Sequence, residues 1–222
     1  MIVSKEGKIF VYPLFGATAL LIWIYLAYGI NIFFPLTMGF FFLFCVNFFR
    51  DPKRLLPKGD NLIVSPADGK IIRLEAVNDE EIGKSIVISI FLNIFNVHVN
   101  RMPIGGSFKE IQYKKGKFFM AFDHKACDEN ERNSIKIITK AGNIRIVQIA
   151  GLLARRIICY AKEAESMEIG DRLGFMRFGS RIDMIVPSTI NLNVKIGQKV
   201  VGNSTIIGTF KTDKNNKNAK KT

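Results

Sequence analysis

The chain has 222 residues, 48% of them hydrophobic and 23% charged, which is enough apolar material for a packed core and excludes a globally disordered protein. Its 32 Lys and Arg residues outnumber its 19 Asp and Glu residues, and the formal net charge of +13 favours an anionic partner such as a membrane surface or nucleic acid. Residues 9–49 contain no Asp, Glu, Lys or Arg, so a simple soluble protein is excluded as well.

The uncharged tract is longer than one membrane span, which needs about 20 residues. It also exceeds the apolar core of a signal peptide, about 7–15 residues. Gly29, Asn31 and Pro35 interrupt the tract near its middle, which predicts two short helices at about 10–28 and 34–49. Lys and Arg residues flank both ends, and this favours a transmembrane helical hairpin with both ends in the cytoplasm. A single tilted span or an interfacial anchor is the alternative.

Beyond Pro57 the pattern changes to short β-like runs separated by glycine-containing turns. The predicted strands are Leu62–Val64, Lys70–Ala76, Ser85–Phe91, Ser134–Thr139, Ile144–Ile149, Arg181–Val186 and Thr205–Phe210. The best helix candidate is Gly151–Tyr160. The spacing of Gly197 and Gly202 is similar to the turns of lipoyl-type domains. We therefore predict a β-rich α+β fold, with a lipoyl-like β-sandwich or barrel after the helical hairpin.

These segments divide the chain into a membrane anchor at 1–49, a β-rich domain at 50–210 and a basic tail at 211–222 that is expected to be disordered. Three cysteines without close spacing predict neither a disulfide framework nor a zinc site. The sequence contains no ribonucleoprotein motif, zinc-finger spacing or obvious recognition helix. Beside a membrane segment, the positive charge therefore indicates an anionic lipid surface rather than nucleic acid.

The sharpest candidate site lies in the segment RFGSRID, Arg177–Asp183. Gly179 has no Cβ and tolerates a strained turn, so the hydroxyl of Ser180 is placed to attack the carbonyl carbon of Gly179. An ordinary turn serine before a strand is the plainer interpretation, because Gly-Ser is a common dipeptide.

Two further side chains are candidates for proton transfer. His98, set among asparagines and an arginine, suits general acid–base chemistry, although a lone histidine is more often structural. Asp68, in the run SPADG, either orients a histidine or stabilises a turn. A Ser, His and Asp set also fits a serine hydrolase, but the Gly-x-Ser-x-Gly elbow is absent from the sequence. His124 is interpreted as structural or peripheral.

Six stretches carry a family resemblance, and they occur in the family's order over most of residues 49–187. They are FRDP from Phe49, SPADGK from Ser65, FLNIFNVHVNRMP from Phe91, KACDENERN from Lys125, QIAGLLARRI from Gln148 and GFMRFGSRID from Gly174. In these stretches the sequence resembles the short form of the phosphatidylserine decarboxylase proenzymes, which are pyruvoyl-dependent lyases.

The resemblance implies that the chain processes itself. Ser180 would attack the Gly179 carbonyl to give an ester, and β-elimination would then yield a β chain, 1–179, and an α chain, 180–222. Ser180 would become an N-terminal pyruvoyl group, in place of pyridoxal phosphate and without a metal. This group would form a Schiff base with phosphatidylserine and accept electrons as CO₂ leaves, so that phosphatidylethanolamine is released.

The resemblance also implies site residues, partners and a location. His98 would transfer protons, Asp68 is a weaker candidate, and Arg101 or Arg177 would bind the lipid phosphate or carboxylate. Longer family members have a second histidine where this chain has Arg101, so their Asp–His–Ser arrangement does not carry over intact. The expected partners are phosphatidylserine in an anionic membrane and the chain's own α and β fragments as a heterodimer, with further oligomers left open and no nucleic acid. The domain is expected on the cytoplasmic face of the inner cell membrane.

Two other functions compete with the decarboxylase. A non-catalytic, membrane-tethered lipoyl-like scaffold is motivated by the glycine-rich hairpin and the basic tail. A membrane serine hydrolase would use the Ser180 hydroxyl directly.

Overall fold

The computed structural model describes residues 3–117, 129–151, 157–177 and 180–211. Two compact units make up the chain, Met1–Lys53 and Arg54–Thr222. Gly179, His124 and nearly all of the predicted basic tail lie outside the described residues.

The first unit is a pair of apolar helices, α1 (Lys8–Tyr28) and α2 (Phe33–Phe48), which follow a 3-10 turn at Lys5–Gly7. Gly29 ends α1 in the left-handed conformation, with φ 65°, and its N–H donates to the Tyr25 carbonyl oxygen at 2.9 Å. The short connection makes the two helices antiparallel, and the rings of Phe15 and Phe42 lie 5.7 Å apart between them.

The two helices differ in length. At about 1.5 Å per residue, the 21 residues of α1 span about 31 Å, close to the bilayer's hydrocarbon thickness of about 30 Å. The 16 residues of α2 span only about 24 Å. Among the described residues, Lys5–Tyr28 is the one helical segment long and apolar enough to cross a membrane by length and composition.

The described residues of the second unit form fourteen strands. They are β1 (Leu62–Val64), β2 (Gly69–Asp79), β3 (Gly83–Leu92), β4 (Val99–Arg101), β5 (Gly106–Lys114), β6 (Arg132–Thr139), β7 (Gly142–Ile149), β8 (Ile157–Cys159), β9 (Ser166–Met167), β10 (Arg172–Met176), β11 (Ser180–Pro187), β12 (Asn191–Leu192), β13 (Lys199–Val200) and β14 (Ile206–Thr209). All seven predicted strands are present, and the β-rich α+β fold with an apolar helical N-terminus is confirmed.

Eight of these strands form one antiparallel sheet in the order β13-β2-β3-β11-β7-β6-β5-β9. The central strand β11 pairs with β3 on one side and with β7 on the other. Side chains alternate between the two faces, and one face carries the buried core residues Ile182, Met184 and Val186 of β11. We call this the inward face of the sheet and the opposite one the outward face.

Two three-stranded sheets complete the unit, β4-β10-β8 and β1-β14-β12. The helix predicted at Gly151–Tyr160 is wrong in its described part, because Ile157–Cys159 is strand β8. Two consecutive β-branched isoleucines suit an extended chain, and pairing with β10 satisfies the backbone of β8. The preceding residues, 152–156, lie outside the described part of the chain.

Candidate functional site

Ser180 is the first residue of the central strand β11 and lies opposite Leu92 of β3. Its side chain is 0% exposed and points to the inward face, as Ile182 and Met184 do two and four residues later. Within the described ranges, the Ser180 hydroxyl oxygen has no hydrogen-bond partner. A buried hydroxyl without a protein partner is rare in native structures and calls for an explanation.

Three buried amide side chains lie on the same face at this end of the sheet. Gln148 of β7 is directly opposite Ile182, which makes it a diagonal neighbour of Ser180, and it is also opposite Asn133 of β6. The Asn133 Nδ2 group donates to Gln148 Oε1 at 3.1 Å, and Gln148 Nε2 donates to Asn100 Oδ1 at 2.8 Å. We call Asn133, Gln148 and Asn100 the amide chain.

The small sheet β4-β10-β8 holds the end of the amide chain in place. Asn100 of β4 is paired with Gly174 of β10. A Cβ at Gly174 would lie 2.7 Å from Gln148 Nε2 and would overlap the Ile158 carbonyl oxygen. Strand β10 can therefore lie this close to the amide chain only because residue 174 is glycine. The position thus links the small sheet to the inward face of the large one.

His98 immediately precedes β4 and is also fully buried. Its Nδ1 atom lies 2.8 Å from the carbonyl oxygen of Asn96. Because a carbonyl oxygen only accepts hydrogen bonds, we assign a proton to Nδ1, which leaves Nε2 as the nitrogen that can accept a proton when the ring is neutral. The backbone N–H of Met176 donates to the His98 carbonyl oxygen at 3.2 Å, which fixes His98 beside a residue four positions before Ser180.

Asp68 ends the turn that precedes β2, at the same end of the sheet as Ser180. The Arg54 guanidinium binds both of its carboxylate oxygens, with Nη2 2.7 Å from Oδ2, and the Gly202 N–H donates to Oδ1 at 2.9 Å. These described partners give Asp68 a role in joining the turn to Arg54 and Gly202. The structure does not bring its carboxylate into a described contact with His98 or Ser180.

The outward face at this end of the sheet carries a buried ion pair. Arg181, next to Ser180, donates from Nε and Nη2 to the two oxygens of Asp183, both at 2.6 Å. Arg181 is 2% exposed and Asp183 is 7% exposed. Arg101, one of the two arginines expected to bind the headgroup, donates from Nη1 to the Gly170 carbonyl oxygen at 3.0 Å.

The amide chain is the part of the site that the sequence prediction missed. A signal was present in the strand pattern, because Gln148 follows Ile144 and Ile146 on the apolar alternation of β7.

Burial raises the pKa of the Cys159 thiol, although hydrogen bonds from Ala161 and the Asn133 side chain oppose this effect. Cys159, which is partly buried, therefore lies beside Asn133 as a neutral thiol.

Comparisons with known proteins point to one family. The family model for phosphatidylserine decarboxylase matches residues 41–208. A phosphatidylserine decarboxylase proenzyme from Wolbachia sp. subsp. Brugia malayi (strain TRS) is 43% identical over 212 residues, covering 92% of this chain and 90% of the relative. A protein of the same name from Wolbachia pipientis wMel is 42% identical over 212 residues, with the same coverage.

Proposed function

The chain belongs to the phosphatidylserine decarboxylase family, and we propose that it is a proenzyme that cuts itself before Ser180 and then converts phosphatidylserine to phosphatidylethanolamine. The observation that carries this proposal is a fully buried, unpartnered serine hydroxyl at the start of the central strand, beside three buried amides. The family match favours this function over a non-catalytic scaffold.

Self-cleavage uses the chain's own atoms. The Ser180 Oγ attacks the carbonyl carbon of Gly179, the peptide C–N bond breaks, and an ester forms with a free amine on residue 180. Nε2 of His98 is the basic nitrogen of its ring, and we assign it to accept the hydroxyl proton. Loss of the Cα proton of residue 180 then expels the Gly179 carboxylate from Cβ. The resulting enamine takes a proton at Cβ and becomes an imine, water hydrolyses the C=N bond, ammonia leaves, and a keto group caps the α chain.

The surroundings of Ser180 fit the pyruvoyl group that this cleavage would produce. The side chain is buried and lies on the same face of the sheet as the amide chain, with Gln148 as its diagonal neighbour. Once formed, the group supplies an electron-accepting carbonyl for the decarboxylation. Strands β3 and β7 hold the new chain end on both sides, which fixes its orientation.

The proposed location follows from the substrate and the first unit. Phosphatidylserine stays in the bilayer, and α1 is long enough to keep the protein there. Lys and Arg residues on both sides of the helices favour the cytoplasmic face of the cell membrane. The proposed active form is a heterodimer of the α and β chains.

Intact mass of the purified protein tests the proposal. The wild-type chain should give fragments 1–179 and 180–222, the second without a free α-amine, and should release CO₂ from phosphatidylserine. Ser180→Ala should remain full length and inactive. Ser89→Ala is the matched control, because Ser89 is another fully buried serine whose hydroxyl has no described partner, and it should be cleaved normally. A wild-type chain that stays whole and inactive would overturn the proposal.

A further inference from the structure

A row of positive charge crosses the outward face of the large sheet at the Ser180 end. The residues directly opposite one another on successive strands are, from β13 to β5, Lys199, Lys70, Phe91, Arg181, Ile149, Arg132 and Lys114. Directly paired residues share a face, so all seven belong to the outward face. Five are cations, two are apolar and none is a carboxylate. We call the five cations the basic row.

Farther along the same strands, the outward face is electrically balanced. The row containing Ile185 carries two acids and two bases, in the order Glu75, Val87, Ile185, Arg145, Lys136 and Glu110. Its bases are paired, with Lys136 Nζ 2.6 Å from Glu110 and Arg145 Nη1 2.8 Å from Asp79. At the Ser180 end Arg181 is likewise paired, with Asp183, but Lys70, Lys114 and Lys199 have no ion pair with a described residue, so the unpaired positive charge of this face is concentrated at that end.

The basic row keeps like charges opposite each other. Lys199 faces Lys70, and Arg132 faces Lys114. Such cross-strand pairs are destabilising. Lys70, Lys114 and Lys199 are exposed and form no ion pair with any described residue. An external anion that binds across the row would relieve this repulsion.

We propose that the basic row is the surface by which the second unit docks on an anionic lipid leaflet. This inference rests on the proposed function, because it names the surface that brings the unit to its lipid substrate. At about 4.8 Å between strands, the row extends about 29 Å along the sheet from Lys199 to Lys114, far more than one phosphate covers. Its exposed members are the lysines on either side of Arg181, which is itself buried and paired with Asp183, so docking through these lysines brings the sheet end that carries Ser180 towards the lipid headgroups. Apolar helices in the same chain favour a bilayer over nucleic acid as the anion.

Lysine footprinting tests the docking surface directly. The full-length chain is placed in nanodiscs of phosphatidylcholine, with or without phosphatidylglycerol, and exposed lysines are acetylated and quantified by mass spectrometry. Lys70, Lys114 and Lys199 should react about fivefold more slowly when phosphatidylglycerol is present, which corresponds to ~1 kcal/mol per lysine. High salt should remove the protection. Lys84 and Lys140, exposed at the other end of the same strands, are the matched controls and should not change.

Each outcome of the footprinting decides for or against the surface. Equal reactivity of the row lysines in both kinds of disc, or equal protection of Lys84 and Lys140, would overturn the proposal. Protection by duplex RNA but not by phosphatidylglycerol would assign the row to nucleic acid and overturn it as well. The experiment is run on the wild-type and the Ser180→Ala chains, so its result is independent of cleavage and of decarboxylation.

Charge reversal provides a second measurement with matched variants. Lys70→Glu with Lys114→Glu, and Lys84→Glu with Lys140→Glu, change the net charge equally at opposite ends of the sheet. The first pair should raise KM for phosphatidylserine in mixed vesicles by tenfold or more, and kcat should change less. The second pair should leave KM within about twofold. An equal change of KM in both double variants would contradict a localised docking surface.

Discussion

The two ends of the eight-stranded sheet are built from the same strands but differ in chemistry on both faces. Away from Ser180, the inward face is apolar, as Ile146 and Met184 illustrate, and the outward charges are balanced by ion pairs. At the Ser180 end, the inward face carries Ser180 and the amide chain, and the outward face carries the basic row. The comparison indicates that one end of the sheet supplies stability while the other accepts polar, less stable packing in return for function.

The largest effect should come from breaking the buried ion pair on the outward face. Asp183→Asn leaves the guanidinium of Arg181 buried without its carboxylate, and should lower the free energy of unfolding by about 3–5 kcal/mol. Chemical denaturation of the Ser180→Ala chain, which stays in one piece, measures the loss. The double variant Arg181→Met with Asp183→Leu should be less destabilised than Asp183→Asn alone. A loss below about 1 kcal/mol for Asp183→Asn would mean that the pair behaves like an exposed one.

Gln148→Leu tests the inward face, with a smaller effect on stability and a clear effect on chemistry. It removes the partner of Asn100 Oδ1 and of Asn133 Nδ2, and should cost about 1–3 kcal/mol. Loss of positioning should slow self-cleavage roughly ten- to a hundredfold, measured by intact mass over time. Ile146→Val, two residues away on the same face, should cost about 0.5–1.5 kcal/mol and leave the cleavage rate unchanged. If both variants slowed self-cleavage equally, the amide chain would contribute to the site only through ordinary packing.

The smallest effect is expected at the balanced end. The pKa values of Glu81 and Glu110 lie below their ordinary 4.5, mainly because Lys136 donates hydrogen bonds to both carboxylates. Because these folded-state pKa values are lowered, their stabilisation is present above the unfolded value and is lost as the pH falls through the folded values. Lys136→Met should return both pKa values towards 4.5, as NMR titration would show, and should weaken the loss of stability on acidification. Unchanged titration of both glutamates would rule out this assignment.

The sequence predicted most of the long strands and also the short strands β1 and β14, but it missed the long strand β5 and the other short strands. Strands β2, β3, β7 and β11 have clear alternation or continuous β-branched runs, which local pattern detects. Strand β5 was missed because its polar sequence, GSFKEIQYK, lacks an apolar run. The two- to five-residue strands β8, β10 and β13 exist only because a distant strand pairs with them.

The candidate site was predicted only in part, for a similar reason. Ser180 and His98 were singled out by their local motifs, and both are buried at the same end of the second unit. The amide chain joins β6, β7 and β4, which are far apart in sequence, so local motifs do not contain it. Asp68 was chosen as a partner for histidine, but its described contacts, Arg54 and Gly202, also come from outside its motif.

Strand β11 has a consequence for any molecule severed before Ser180. Eight residues of β11 pair with β3 and five pair with β7. In the same fragment, β13 pairs with β2, and β14 lies between β1 and β12. The short fragment is thus interwoven with the long one and cannot diffuse away while the sheets are intact. If the proposed cleavage occurs, refolding after urea has separated the fragments is a bimolecular reaction, in which β11 must be inserted again between β3 and β7.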